Sequence, residues 1–162
     1  MADPNLTLFG QLSAVLTGFP LARVAPSIDP IGLPQQFLAF ISAQPAQAPV
    51  LQQLLTVYAG IVQQQPDLAQ QAPLVQQQVM DDATLAPLAR RIIRLWYLGV
   101  WYRDEPPAPD DGPVGQVVSM NAYTGGLAWD AAQAHPMGYS EMHYGYWSGT
   151  PAPVQTLTSP GA

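Results

Sequence analysis

Four polar side chains near the C-terminus could take part in acid–base or metal chemistry: Asp130, His135, Glu141 and His143. Asp130 and Glu141 would act as an acid–base pair only if the fold brought them together, and no spacing in the sequence requires that. The two histidines lack acidic neighbours at the spacings typical of metal ligands. An enzyme built on these residues would need a cleft that gathers at least two of them. The sequence favours a simpler interpretation, in which the carboxylates are exposed.

Motifs for cofactor binding are also missing from the sequence. No G-x-G-x-x-G opens a helix after a strand, and there is no P-loop. Gly125 and Gly126 stand alone between Thr124 and Leu127, a pattern typical of a turn. The sequence has no cysteine, which excludes disulfides, thiolate metal sites and haem attachment through C-x-x-C-H. We therefore predict no catalytic, cofactor-binding or metal-binding residue in this chain.

Three of the five arginines lie close together, at Arg90, Arg91 and Arg94. Arg90 and Arg94 are one helical turn apart and share a face. The favoured interpretation is a solvated face, or pairing with the nearby Asp81 and Asp82. The alternative is a salt bridge to the acidic residues further along the chain or to another protein. Exposed ion pairs contribute little to stability, which favours the first interpretation.

These arginines belong to residues 82–102, the densest apolar stretch, which predicts one long helix. Asp82 or Thr84 can cap its start, and Pro87 falls in its first turn. Gly99 weakens a helix and therefore indicates a close backbone approach. The helix is either the core of the array or also a docking surface, because its aromatic side chains exceed what a small bundle needs. Those aromatic residues are Trp96, Tyr97 and Trp101.

Four further helical segments precede this one. Apolar residues at three- and four-residue steps predict helices over 5–16, 34–43, 49–64 and 68–80. Pro73 is a point at which the last of these can divide. Asn5 or Thr7 would cap the first, Gly18 and Pro20 would end it, and Asp67 would cap the last. The expected fold class is all-α: an array of four to five helices with a long, mostly irregular C-terminal arm.

Charge and composition change sharply after the long helix. Residues 1–103 hold five arginines and five aspartates, whereas residues 104–162 hold six acids and no cation, which gives the net charge of −6. We predict a helical domain over 1–103, an acidic Pro-rich linker over 104–113 and an aromatic-rich arm over 114–162. The negative charge argues against nucleic-acid binding. No apolar run is long enough to span a membrane, and no targeting signal is visible.

The C-terminal arm contains many aromatic residues but no regular pattern that would bury them, apart from one short helix predicted over 121–131. Burying one such side chain contributes about 1.5–3 kcal/mol, so leaving them all exposed would be unfavourable. They must pack either on the helical array or on another protein, and composition does not decide between the two. The residues concerned are Tyr123, Trp129, Tyr139, Tyr144, Tyr146 and Trp147.

The order of several short motifs resembles a known family. The sequence contains F-x-x-L-S-x-x-L-T-G over 9–18, R-L-W-Y-L-G-V over 94–100 and V-V-S over 117–119, followed by Ala128-Trp129. It ends this series with G-Y-S over 138–140 and G-Y-W-x-x-x-P over 145–151. Together they resemble the small subunit of bacterial membrane-bound, FAD-dependent sugar and polyol dehydrogenases, the sorbitol/fructose/glucose dehydrogenase type. The late W-Y-L-G is the most specific of these motifs.

The resemblance implies a small, mainly helical subunit without a cofactor of its own. It implies binding to a large flavin-bearing subunit, with FAD there and haem c in a third, cytochrome subunit. It also implies that the chain helps the large subunit to mature and reach the periplasm, with membrane association only through the complex. Many relatives have a cysteine where this chain has Ser140, so a covalent link to the partner at that position is excluded. A self-standing helical protein, such as a homo-oligomer, stays an alternative.

On this basis nine aromatic residues are candidate contacts with the large subunit. Some lie in the long helix and its continuation, and the others lie in the arm. They are Trp96, Tyr97, Trp101, Tyr123, Trp129, Tyr139, Tyr144, Tyr146 and Trp147.

Overall fold

The structure is a computed structural model that describes residues 3–102 and 115–139. Four helices come first: α1 (Pro4–Thr17), α2 (Leu21–Val24), α3 (Leu33–Ser42) and α4 (Ala48–Gln64). A 3₁₀ turn (Leu68–Gln70), α5 (Ala72–Val75), a π-helical turn (Gln76–Met80) and α6 (Leu85–Leu98) follow. Next are β1 (Val100–Tyr102), β2 (Gly115–Val117), α7 (Met120–Thr124) and α8 (Leu127–Ala131). The predicted helical array is confirmed, with a two-stranded ribbon in addition.

Helix α1 begins at an aspartate that the prediction had passed over. The Asp3 carboxylate accepts a hydrogen bond from the Asn5 backbone N–H at 2.9 Å, so Asp3, and neither Asn5 nor Thr7, caps the helix. Gly18 ends it in the left-handed conformation, as predicted, and donates its N–H to the Ala14 carbonyl. The short α2 that follows was not predicted, because four residues are too few to display a period.

Helix α6 lies at the centre of the core and packs against α1, α4 and α8. Its inward face includes Leu88, Ile92, Leu95 and Trp96, all nearly fully buried. The Trp96 ring meets the Phe37 ring of α3 edge-on, with centroids 4.8 Å apart. The predicted capping role of Asp82 is confirmed, since its carboxylate accepts hydrogen bonds from the N–H groups of two following residues, at 2.8 and 2.9 Å.

The predicted end of this helix at residue 102 is wrong. Helix α6 stops at Leu98, and Gly99 caps it with a φ of 66°. The chain then continues into β1, which pairs antiparallel with β2 in the register Val100↔Val117. The next residue of β1, Trp101, is buried and contacts the Phe40 ring. β-Branched and aromatic residues at 100–102 continue an apolar helical pattern but also suit a strand, and the glycine decides between the two.

The fourth predicted segment is broken rather than continuous. Asp67 caps its first turn, as predicted, by accepting from the Ala69 N–H. Pro73 falls in the first turn of α5, where it is compatible with a helix start. A buried polar contact fixes this break: the Tyr58 hydroxyl donates to the Gln71 side-chain oxygen at 2.6 Å. The Gln71 amide in turn donates to the Gln65 carbonyl at 2.8 Å. Burial raises the pKa of the Tyr58 hydroxyl well above its usual range.

The short helix predicted over 121–131 is two helices, α7 and α8, separated by Gly125 and Gly126. The glycine pair therefore forms the predicted turn. Both helices contact α6, and one residue from each, Ala122 and Leu127, is fully buried in the common core. The division into domains at 1–103, 104–113 and 114–162 stays a prediction, although residues 115–139 pack on the helical array.

Three glycine-to-alanine variants separate the two requirements at Gly99, which are a positive φ and the absence of a Cβ. Gly60 and Gly18 serve as comparisons in other helices. Gly60 lies inside α4 with open space around it, so Gly60→Ala is expected to stabilise the chain by about 0.5–1 kcal/mol. Gly18 also has open space but a φ of 75°, so Gly18→Ala should cost about 1 kcal/mol. Gly99→Ala adds overlap with the Ala122 carbonyl to the same conformational cost, and we expect about 3 kcal/mol or more. Urea unfolding measures all three, and equal costs for Gly99→Ala and Gly18→Ala would contradict the close approach.

Removing the Tyr58 hydroxyl should destabilise the chain through the group that it leaves behind. Tyr58→Phe strands the Gln71 side-chain oxygen, which is buried, and we expect a loss of about 1–3 kcal/mol in the free energy of unfolding. Thr56→Ala is the control, because its exposed hydroxyl bonds only to the Gln52 carbonyl one turn away, and it should change stability by less than about 0.5 kcal/mol. Comparable losses in the two variants would show that the buried contact is not special.

Candidate protein-binding surface

The C-terminal segment 115–139 meets α6 through direct contact between backbones, which we call the glycine seam. A Cβ on Gly99 would lie 2.6 Å from the Tyr123 nitrogen, and one on Gly126 would lie 2.8 Å from the Tyr97 carbonyl oxygen. The Val118 N–H donates to the Gly99 carbonyl at 3.1 Å. The close backbone approach predicted at Gly99 is therefore confirmed. The R-L-W-Y-L-G-V stretch and the segment beginning V-V-S form opposite sides of this seam.

Polar contacts extend the glycine seam on both sides. Ser119 caps α7 by accepting from the Ala122 N–H at 3.0 Å, and its hydroxyl donates to the Gln36 side-chain oxygen of α3 at 2.8 Å. Arg23 of α2 forms an ion pair with Asp130 of α8 at 2.6 Å. These contacts join residues far apart in the sequence, and no local pattern identifies them in advance.

The aromatic candidates on α6 and β1 contact the chain itself. Trp96 is 1% exposed and Trp101 is 9% exposed. The guanidinium of Arg91 lies 5.4 Å from the Trp101 ring centroid, within cation–π range. Tyr97 is half-buried: its hydroxyl donates to the Thr17 carbonyl at 3.0 Å, and its ring meets the Phe19 ring. These side chains stabilise the array, and their contact with a partner stays a prediction.

The aromatic candidates of the C-terminal segment differ in exposure. Tyr123 and Trp129 are half-buried and meet edge-on with ring centroids 5.5 Å apart. The Trp129 indole N–H also donates to the Tyr123 carbonyl at 2.7 Å. Tyr139 is 49% exposed, so about half of its surface is available to another molecule. Partner contact stays a prediction for all of them, and Tyr144, Tyr146 and Trp147 lie outside the described residues.

A group of exposed aliphatic side chains, absent from the prediction, surrounds the hydrogen bond between Val118 and Gly99. We call Leu98, Val117 and Met120 the hairpin patch; they are 42, 53 and 61% exposed. Each of the three residues lies within two positions of one end of that hydrogen bond, so the three lie close together on the surface. The sequence did not reveal the patch because it joins two segments whose proximity depends on the glycine seam.

Arginines lie beside this patch. Arg90 and Arg94 are exposed on α6 and make no ion pair with any residue in the described ranges. Asp81 accepts instead from the Gln76 side chain, and Asp82 caps the helix. The predicted solvated face therefore agrees with the position of Arg90 and Arg94, and the predicted pairing with the two aspartates does not occur.

Two of the four residues proposed for acid–base chemistry, Asp130 and His135, lie in the described part of the chain. Asp130 is exposed, as predicted, but it forms an ion pair with Arg23, and a ring nitrogen of His135 lies 3.1 Å from the Pro136 carbonyl oxygen. Glu141 and His143 lie outside the described residues. Within residues 3–102 and 115–139, no three His, Cys, Asp or Glu side chains are grouped as metal ligands would be. None of the helices described there is both long and apolar enough to cross a membrane.

Two open grooves, of about 280 and 200 Å³, lie along the N-terminal half of α1. They share Leu6 and Gln35, and neither is lined by Asp130 or His135. The binding candidates that combine exposed apolar side chains with charge are therefore on the surface, outside these grooves. These are the exposed apolar hairpin patch and the arginines beside it.

These features define the class: a mostly helical chain with a small antiparallel ribbon, whose binding candidates lie on its surface. A family model described as membrane-bound FAD-containing D-sorbitol dehydrogenase matches residues 1–151. The chain belongs to this family, and the resemblance to its small subunits is confirmed. Searches of curated proteins and of solved structures each gave no match.

A double-mutant cycle on Arg23 and Asp130 should measure the ionic contribution to the docking of α8. Both side chains are more than one-third exposed, so we expect a coupling energy of about 0.2–1 kcal/mol that decreases with added salt. The variants are Arg23→Gln, Asp130→Asn and the combination, compared by urea unfolding. Hydrogen exchange of the amides at 120–131 should accelerate in the single variants. A coupling that salt does not change would contradict an ion pair screened by solvent.

Proposed function

We propose that this chain is a non-catalytic accessory subunit of an FAD-dependent sugar or alcohol dehydrogenase complex. It binds the flavin-bearing catalytic subunit, stabilises it and assists its maturation and export. The observation that carries this proposal is the family match over residues 1–151. The surface location of the binding candidates supports it, because a subunit that acts by association needs an exposed face more than it needs a cleft.

The mechanism is stabilisation by binding. A protein that binds the native state of its partner, and not the unfolded state, lowers the free energy of the native state by RT ln(1 + [L]/Kd). A concentration one hundred times the Kd therefore contributes about 2.7 kcal/mol, a large share of the stability of a typical domain. The FAD belongs to the partner, and a cytochrome subunit that carries haem c completes the complex in the periplasm or on the periplasmic face of the inner membrane.

The alternative is a self-standing helical protein that associates with copies of itself. The exposed hairpin patch favours some association, since apolar side chains grouped on a surface often mark an interface. Sedimentation of the isolated chain distinguishes the two proposals: a compact, stable oligomer favours the alternative, and a monomer favours the accessory subunit.

Co-expression with the flavin-bearing dehydrogenase subunit of the same organism tests the proposed function. We expect the two chains to co-purify, and the yield of FAD-loaded partner to rise several-fold over expression without this chain, because binding removes partner from the unfolded pool. The flavin absorbance per partner molecule gives the measurement. The control is a partner expressed with an unrelated helical protein. Failure to co-purify together with an unchanged yield would overturn the proposal.

A further inference from the structure

We infer that the hairpin patch and the exposed arginines of α6 form one docking surface, which fits an apolar area bordered by carboxylates on the flavin-bearing subunit. This inference rests on the proposed function and specifies where the contact lies. It commits to a folded protein surface as the occupant. A second copy of this chain and an anionic membrane are the competing occupants.

The apolar centre of the surface is built by the ribbon. Val100 faces Val117 across the two strands, and paired residues of an antiparallel ladder share one side. Gly115 shows which other side chains lie on that side. A Cβ on Gly115 would meet the Val100 side chain at 2.8 Å and the Tyr102 ring at 3.0 Å. Val100, Tyr102 and Val117 therefore cover one side of the ribbon, whereas Trp101 points into the core.

The charged border continues from the apolar centre along α6. Arg90, Arg94 and Leu98 are spaced by four residues, so they form one row along the helix. All three are exposed, and the row ends at the hairpin patch. An apolar centre with a charged border is the usual arrangement of a protein interface, and arginine is enriched there.

Charge decides between the occupants. In a symmetric dimer each patch would meet its own copy. Both copies would carry the same net charge of −6, and this repulsion opposes self-association. Segments that bind an anionic membrane by charge carry clusters of about four to eight Lys or Arg residues. Among the described residues, this surface offers two exposed arginines, on a chain with a net charge of −6. A partner with carboxylates around an apolar area satisfies both parts of the surface.

The surface is also fixed before binding. Leu98 belongs to the helical array, and Val117 and Met120 belong to the C-terminal segment, so the patch exists only while the glycine seam holds them together. A preformed surface loses little conformational entropy on association, which favours affinity.

A competition experiment in cells tests the inference. The flavin-bearing subunit, carrying a tag, is co-expressed with equal amounts of wild-type chain and one full-length variant, and mass spectrometry gives the ratio of the two in the purified complex. Leu98→Glu and Met120→Glu should each be recovered about tenfold less than wild type, since each places a carboxylate in the apolar centre opposite acidic groups. The matched control is Ile28→Glu, at an 85% exposed apolar side chain between α2 and α3, which should be recovered equally.

The arginine row is tested in the same way. Arg94→Glu should be recovered about three- to tenfold less than wild type, and Arg94→Lys should be recovered nearly as well, because the charge is retained. Val117→Thr keeps the β-branched shape of the side chain and removes only apolar surface. A reduced recovery of this variant therefore cannot be attributed to the kind of folding defect that a glutamate could cause. Circular dichroism of each isolated variant verifies that it is folded.

Each outcome separates this inference from the proposed function. If wild type does not co-purify with the flavoprotein and the yield of FAD-loaded flavoprotein is unchanged, the proposed function fails. If wild type co-purifies and the patch variants are recovered like Ile28→Glu, the docking surface is wrong while the proposed function stands. Self-association of the isolated chain that Leu98→Glu abolishes would assign the patch to a second copy. Binding to vesicles of anionic phospholipid that Arg94→Glu abolishes would assign it to a membrane. Either result would overturn the inference.

Discussion

The described structure depends on one steric constraint, the approach of two backbones at Gly99. The residue ends α6, directly precedes β1 and allows the Ala122 carbonyl into space that any side chain would fill. A positive φ and a missing Cβ are two separate requirements, and glycine meets both. Everything C-terminal to α6 in the described chain is positioned from this point, including the ribbon, α7 and α8.

This constraint changes the meaning of the most specific motif in the sequence. In W-Y-L-G the tryptophan packs in the core, and the tyrosine hydroxyl donates to the Thr17 carbonyl at the end of α1. The glycine lies in direct contact with the backbone of the C-terminal segment. The remaining residue, Leu98, is the one whose side chain is left on the surface. A motif that resembles a binding signature is thus largely a folding signature, and its contribution to binding is to bring Leu98 beside Val117 and Met120.

The sequence was sufficient for elements whose signals are local. Periodic apolar residues located the main helices, and Gly18, Asp67 and Asp82 marked ends through chemistry within a few residues of themselves. It was insufficient where distant segments decide the outcome. Residues 100–102 continue the apolar pattern of α6, and only pairing with 115–117 makes them a strand. Exposure is likewise a tertiary property, so aromatic content directed attention to Trp96 and Trp101, which are buried, and away from the aliphatic hairpin patch.

Folding and association are linked in this chain because the contacts that fix the C-terminal segment also hold its part of the proposed docking surface in place. Arg23 and Asp130 hold α8 near α2, Ser119 holds α7 near α3, and the glycine seam holds both against α6. None of these contacts lies in the proposed docking surface, yet each helps to fix the segment that supplies half of it. A loss of stability at the seam would therefore reduce partner binding without touching the interface, whereas a charge placed on Leu98 would reduce binding without touching stability. The separation of these two effects follows from a patch that is shared between two segments, which the glycine seam holds together.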